Sequence, residues 1–290
     1  MKPEYKPFVD ELIELCIRED IGDGDHTSLS CIPSDEHGRM RLLCKQEGII
    51  AGIEIAQVVF HRLDPEMEFE QVLSDGDRVK PGDVAFYVSG RLRSLLQAER
   101  IILNIMQRMS GVATQTAVYV DRLAGLHTRV LDTRKTTPGL RIFEKAAVEA
   151  GGGHNHRYNL SQAVMLKDNH IDAAGGIAAA VAGARAHAPF VCTVEVECES
   201  LNMVQEALDA GADIIMLDNM DHEQMREAIA LIDGHAKVEA SGNVDASNIR
   251  ELADLGVDII SSGALTHSAP ILDLSLLSLI HISEPTRHLR

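Results

Sequence analysis

Between residues 129 and 261 the chain carries six short apolar runs, at 129–132, 163–166, 193–197, 214–217, 237–240 and 259–261. Stretches rich in Ala, Leu and Glu separate them, such as 201–210, 223–233 and 246–255. Strands that alternate with helices pair in parallel, because each helix is the crossover that returns the chain to the same end of the sheet. A closed α/β barrel and a doubly wound open sheet share this alternation. The polar residues favour the barrel. The runs end in Thr133-Arg134-Lys135, Lys167, Glu197, Asp218, Ser241-Gly242-Asn243 and Ser262-Gly263-Ala264. In a barrel the C-terminal strand ends converge on one face, so residues distant in sequence share one site.

The first 110 residues read differently. A helix is expected over 7–19, with Val9, Leu12, Ile13 and Ile17 on one face. A turn-rich segment, 20–27, follows, then strands around 39–45 and 68–73, turn signals on either side of Arg78-Val79, and a helix over 92–110. Two domains are therefore expected, 1–110 and 111–276, leaving open that the last residues return to the first. The 290 residues are 45% hydrophobic, enough for a full-sized core. The formal net charge of −17 disfavours nucleic acid and anionic membrane as general partners. No apolar run reaches bilayer length, and the N-terminus lacks the pattern of a signal peptide. Five cysteines, an odd number without CxxC spacing, read as reduced thiols in a cytoplasmic protein.

Within this acidic chain, residues 133–170 form a basic island. Arg134, Lys135, Arg141, Lys145, Arg157 and Lys167 outnumber Glu144, Glu149 and Asp168. Arg forks match carboxylates, Lys supplies a movable charge, and Gly151-Gly152-Gly153 permits close backbone approach just before His154-Asn155-His156-Arg157. Surface salt bridges would also account for these charges, but a small polyanionic substrate needs such a pocket. Glu197 and Asp218 end consecutive strands and face one cavity, where they could hold Mg²⁺ through water, bind ribose hydroxyls or stabilise a cationic carbon. Glu195 shares the face of Glu197, deeper, and is expected to pair with Lys167. The small-residue loops after the last two strands, Ser241-Gly242-Asn243 and Ser262-Gly263-Ala264, suit a phosphate held by backbone N–H groups.

Specific strings carry a resemblance. They are Glu99-Arg100-Ile101-Ile102-Leu103-Asn104, Ser110-Gly111-Val112-Ala113-Thr114, Asp132-Thr133-Arg134-Lys135-Thr136-Thr137-Pro138-Gly139-Leu140-Arg141, Gly151-Gly152-Gly153-His154-Asn155-His156-Arg157 and Leu166-Lys167-Asp168-Asn169-His170. Val194-Glu195-Val196-Glu197, Met216-Leu217-Asp218-Asn219 and Ala240-Ser241-Gly242-Asn243 complete them. From about residue 8 to about residue 275 the chain resembles the quinolinate phosphoribosyltransferases, also called carboxylating nicotinate-nucleotide pyrophosphorylases. The resemblance implies an N-terminal α/β sandwich and a C-terminal open α/β barrel, the type II phosphoribosyltransferase architecture. It implies transfer of 5-phosphoribosyl from phosphoribosyl pyrophosphate to quinolinate with decarboxylation, with Mg²⁺ bound alongside phosphoribosyl pyrophosphate. Thr133, Arg134, His156, Arg157 and Lys167 would line the quinolinate pocket with Lys135 close by, and Arg100 would reach it from the partner of a homodimer. Lys135, Lys167, Glu197 and Asp218 would be catalytic, the two carboxylates facing ribose and, indirectly, the metal. Ser241, Gly242, Asn243, Ser262, Gly263 and Ala264 would take the 5-phosphate.

Other readings remain at this point: the family's paralogue from molybdenum-transport operons, a Schiff-base aldolase using Lys167, a metal hydrolase using His154 and His156, and a non-catalytic phosphoribosyl pyrophosphate sensor. Residues 277–290 are expected to be a non-native tail. Leu277-Ser278-Leu279-Ile280-His281-Ile282-Ser283-Glu284-Pro285-Thr286-Arg287 reads as one frame of a common transposase-type sequencing adapter, so its deletion is expected to cost neither stability nor activity.

Overall fold

The structure, a computed structural model, describes residues 5–279. Its elements in chain order are α1 (Lys6–Ile21), α2 (His26–Cys31), β1 (His37–Cys44), β2 (Gly48–Ile49), α3 (Ile53–Leu63), β3 (Glu68–Gln71), β4 (Arg78–Val79), β5 (Val84–Arg91) and α4 (Leu92–Arg122). There follow β6 (Arg129–Leu131), α5 (Arg141–Ala150), β7 (Val164–Leu166), α6 (Asp168–Ala174), α7 (Ile177–His187), β8 (Val194–Cys198), α8 (Leu201–Asp209) and β9 (Ile214–Asp218). The chain continues with α9 (His222–Ile232), β10 (Lys237–Ser241), α10 (Ile249–Asp254), β11 (Ile259–Ser261), α11 (Ala264–His267) and β12 (Leu274–Ser278). Two compact units result. One takes the residues up to Gln115, Pro138–Gly152 and the residues from Ala269; the other takes Thr116–Thr137 and Gly153–Ser268.

The first unit is built on an antiparallel sheet in the order β12-β1-β5-β3. Phe60 of α3 meets Phe69 of β3 and Phe86 of β5 with ring centroids 6.1 and 6.0 Å away, closing one face of the sheet. The apolar run 84–88, which the sequence reading passed over, is the centre of this sheet. The helix expected over 92–110 instead runs to Arg122. Gly111 is not its stop but a point of close approach: a Cβ there would lie 1.8 Å from the Pro270 carbonyl oxygen. The C-terminal segment is anchored where the Leu272 N–H donates to the Gln107 carbonyl (3.0 Å), and β12 then pairs along β1.

The expected tail begins inside that strand. Leu277 and Ser278 stand opposite Arg41 and Met40, and the Leu279 N–H donates to the Arg39 carbonyl. The rest of it, 280–290, lies outside the described residues. A deletion from 277 therefore removes sheet pairing, contrary to the expectation that it costs nothing.

The second unit holds six parallel strands in the order β6-β11-β10-β9-β8-β7. The first strand pairs with the last, so the sheet curls round into a barrel with a seam between β6 and β7. At the seam the chain before β7 takes the strand's place: the His154 N–H donates to the Val130 carbonyl and the Asp132 N–H to the His154 carbonyl. The result is the open α/β barrel expected. Helices begin almost at once after the strands because caps are ready. Ser200 caps α8 by accepting the Met203 N–H, and Asp221 caps α9 by accepting those of Glu223 and Gln224. Short strand-to-helix turns leave Glu197 and Asp218 at the rim.

Candidate active site

Strand register fixes which side chains meet at the rim. Pairing of Leu166 with Val196 puts Lys167 level with Glu197, and the two form an ion pair. Pairing of Ser241 with Asp218 puts those two at one height on neighbouring strands. Asp218 is half-buried. Burial and then the charge of Glu197 raise its carboxyl above the ordinary 3.8, while Lys167 and Lys135 pull it down. Lys135 lies along the floor of the next loop: a Cβ on Gly263 would be 2.7 Å from its Cδ. The Thr266 hydroxyl donates to the Lys135 carbonyl (2.8 Å), and the Lys135 N–H donates to Thr133 Oγ1 (3.0 Å). Gly242, at φ +93°, lies so close to Asn219 that a Cβ would be 2.5 Å from Oδ1. Asn219 in turn donates from Nδ2 to Asp218 Oδ2 (2.7 Å). Ser262 is buried and donates its hydroxyl to the Val244 carbonyl (3.1 Å), so the backbone of the Ser262-Gly263-Ala264 loop is what it can offer a ligand.

The seam segment supplies the cations. The backbone N–H of His156 donates to Asp132 Oδ1 (2.9 Å), the N–H of Arg157 donates to His156 Nδ1 (2.8 Å), and Arg157 Nη1 donates to the Ala163 carbonyl (2.9 Å). Burial first, and the nearby Arg134 charge second, hold the Arg157 guanidinium below its ordinary value. Two neighbouring guanidinium groups, the exposed one of Arg134 and the half-buried one of Arg157, favour an anionic ligand between them.

Contrary to the expectation, Glu195 does not pair with Lys167, because register sets it one level below. It meets the His156 ring instead, Oε2 to Nε2 at 3.2 Å, and Glu239 Oε2 lies 3.5 Å from the same nitrogen. Burial raises the Glu195 carboxyl. Burial works to lower the His156 imidazole, but its contacts with Glu195 and Glu239 and their charges outweigh it and raise it to about 10. Against that, the Arg157 N–H aimed at Nδ1 needs a lone pair there. Donor facing donor at 2.8 Å is repulsive, so the hydrogen bond decides for a ring protonated on Nε2 alone.

The basic island is divided. Arg134, Lys135, Arg157 and Lys167 belong to the barrel unit, whereas Arg141 and the buried Lys145 stand on α5 of the other. Arg100 is exposed on α4 of that same first unit. The sequence reading missed Glu239 altogether and gave no role to Asp132 or Asn219. An acidic residue between Val238 and Ala240, in a strand buried on both faces, was the available signal for Glu239.

The chain matches known proteins over most of its length. The sequence profile of the quinolinate phosphoribosyl transferase N-terminal domain matches residues 25–110, and that of the C-terminal domain matches 112–277. A probable nicotinate-nucleotide pyrophosphorylase (carboxylating) from Synechocystis sp. is 44% identical over 93% of this chain and 92% of its own length. The chloroplastic nicotinate-nucleotide pyrophosphorylase (carboxylating) of Arabidopsis thaliana is 42% identical over 95% and 85%. Among solved structures, NadC from Streptococcus pyogenes superposes with a TM-score of 0.91 at 46% identity, covering 96% of this chain and 97% of that one.

Proposed function

The chain belongs to the quinolinate phosphoribosyltransferase family, and we propose that it uses the residues at its barrel rim to perform that family's reaction. It transfers the 5-phosphoribosyl group of phosphoribosyl pyrophosphate to quinolinate and releases pyrophosphate and carbon dioxide, a step of de novo NAD biosynthesis. The observation that carries the assignment of roles is the meeting of Lys167, Glu197, Asp218 and Lys135 at one rim, with Arg134 and Arg157 on the seam of the same barrel.

Quinolinate brings two carboxylates, and burying them without cations would be prohibitive. Arg134, Arg157 and Lys167 hold them, with Thr133 and His156 shaping the pocket. The ring nitrogen forms its bond to the anomeric carbon as the bond to the pyrophosphate oxygen breaks, and positive charge builds on the ribose. Glu197 and Asp218 face that charge, and carboxylates aimed where charge develops lower the barrier more than they strengthen ground-state binding. Lys167 pairs with Glu197 and holds it in place. The 2-carboxylate then leaves as carbon dioxide; its electron pair stays on the carbon beside the now cationic nitrogen, and that carbon takes up a proton. The protein orients and desolvates here, since the ring is its own electron sink.

The Ser241-Gly242-Asn243 and Ser262-Gly263-Ala264 loops receive the 5-phosphate through backbone N–H groups. The acidic surroundings of Asp218, with Glu197 and Glu199 both raising its carboxyl, fit a divalent cation entering with phosphoribosyl pyrophosphate. Glu197 and Asp218 would hold Mg²⁺ there, through water or substrate, and the ion would supply charge to neutralise the pyrophosphate. Arg100 completes the quinolinate pocket of the other subunit in a homodimer, which its exposure on α4 permits. A cytoplasmic site of action is supported by five unpaired cysteines. Among the described residues no helix is long and apolar enough to cross a membrane. The test is turnover of quinolinate with phosphoribosyl pyrophosphate, with nicotinate as control. Turnover of quinolinate with release of carbon dioxide, and no turnover of nicotinate, is expected; turnover of nicotinate in its place would overturn the assignment.

A further inference from the structure

Inside the barrel, His156 meets Glu195 and Glu239, two carboxylates that the reaction as described does not use. Glu195 is 2% exposed and Glu239 0%. Oε1 of Glu195 and both oxygens of Glu239 are buried without a hydrogen-bond donor. Carboxylates in such a place are costly unless they serve a partner. The three donor atoms lie within 4.8 Å of one another, and an imidazole with two carboxylates would suit a transition metal. The tautomer argues otherwise. A ring that ligates a metal through Nε2 carries its proton on Nδ1 and donates from there. Here Nδ1 accepts the Arg157 N–H, so the ring's proton sits on Nε2 and faces the carboxylates.

We infer that Glu195 and Glu239 are positioning residues: they hold His156 as its Nε2–H tautomer and, through it, set Arg157 for the quinolinate carboxylate. The inference rests on the proposed function and extends it one layer inward. The His156-Arg157 pair of residues is held at three points, by Asp132 on the His156 N–H, by the ring on the Arg157 N–H, and by the Ala163 carbonyl on the guanidinium. A ring that lost its carboxylates would be free to flip or to take its proton on Nδ1. It would then meet the Arg157 N–H donor to donor, and the turn that aims the guanidinium would open. Glu195 also faces Arg157 as an opposite charge.

The experiment joins nitrogen-15 NMR of the histidine rings to steady-state kinetics. The His156 signal is assigned by its loss in His156→Gln. Wild-type protein should show a protonated Nε2 and a bare Nδ1. Glu195→Leu and Glu239→Leu, of similar volume, should fold, show mixed tautomers, and raise the quinolinate KM about tenfold with the phosphoribosyl pyrophosphate KM unchanged. Glu195→Gln keeps an acceptor for Nε2–H and should recover most of the loss. A doubly protonated ring or a bare Nε2 in the wild type would overturn the inference. So would an equal rise in both KM values, or a stoichiometric transition metal that His156→Gln abolishes. Failure of the proposed function shows separately, as wild-type protein that neither binds nor turns over quinolinate; the ring signals then decide the tautomer by themselves.

Discussion

Arg157 and Asp218 do different work, and single substitutions should separate them. Arg157→Ala removes a fork-shaped partner for a carboxylate, a charge-assisted contact worth about 1.5–3 kcal/mol. Calorimetry should show quinolinate affinity falling by about tenfold or more, with phosphoribosyl pyrophosphate still binding. Unchanged quinolinate affinity would remove Arg157 from the pocket. Asp218→Asn should lower kcat more than it raises KM, because the carboxylate acts on charge that exists only in the transition state. The sign of the pH effect follows from its surroundings. The ionised form is the active one and its carboxyl is raised above 3.8, so activity is lost on the acid side as pH falls through that raised value. Lys135→Met removes a cation that lowers it, and the acid limb of the residual kcat profile should move to higher pH. A shift the other way would mean that another group sets the limb.

At the scale of an element, α4 and α7 make opposite cases of a glycine inside a helix. Ala in place of helical Gly is favourable by about 1 kcal/mol where space allows. Gly183 in α7 has no atom within 4 Å of where a Cβ would stand, so Gly183→Ala should raise the melting temperature. Gly111 in α4 has the Pro270 carbonyl oxygen 1.8 Å from that point. Backbone must move there, at a cost of about 1–3 kcal/mol that exceeds the helix gain, and Gly111→Ala should melt lower. Parallel thermal scans of the two variants check both signs. A stabilised Gly111→Ala would mean that the C-terminal segment does not lie against α4.

For the whole molecule, the decisive question is whether each site is completed by a second copy. Arg100→Ala and Lys167→Ala should each be inactive. If Arg100 reaches the partner's pocket, a mixed dimer of the two variants contains one site with both native groups. Activity should return to roughly half the wild-type level in heterodimers verified by mass spectrometry, since one site in two is intact. Heterodimers without activity would put both residues in one subunit's site.

Much of this was legible in the residues alone, because local periodicity and turn chemistry fix strands and helices wherever the chain repeats them. The six barrel strands, their polar ends and the Glu197–Asp218 pair follow from short-range pattern, and the motif strings carried the family. What the sequence left open depends on register and closure. Glu195 faces the same side as Glu197 whatever its partner, but only the pairing of Leu166 with Val196 sends Lys167 to Glu197 and leaves Glu195 to His156. Glu239 gains its meaning when β10 and the seam segment are brought round to one interior, and Gly111 gains its reason when Pro270 is seen against it. Side chains separated by tens of residues meet through the curl of the sheet, and that curl comes from packing the whole barrel rather than from any one stretch of chain.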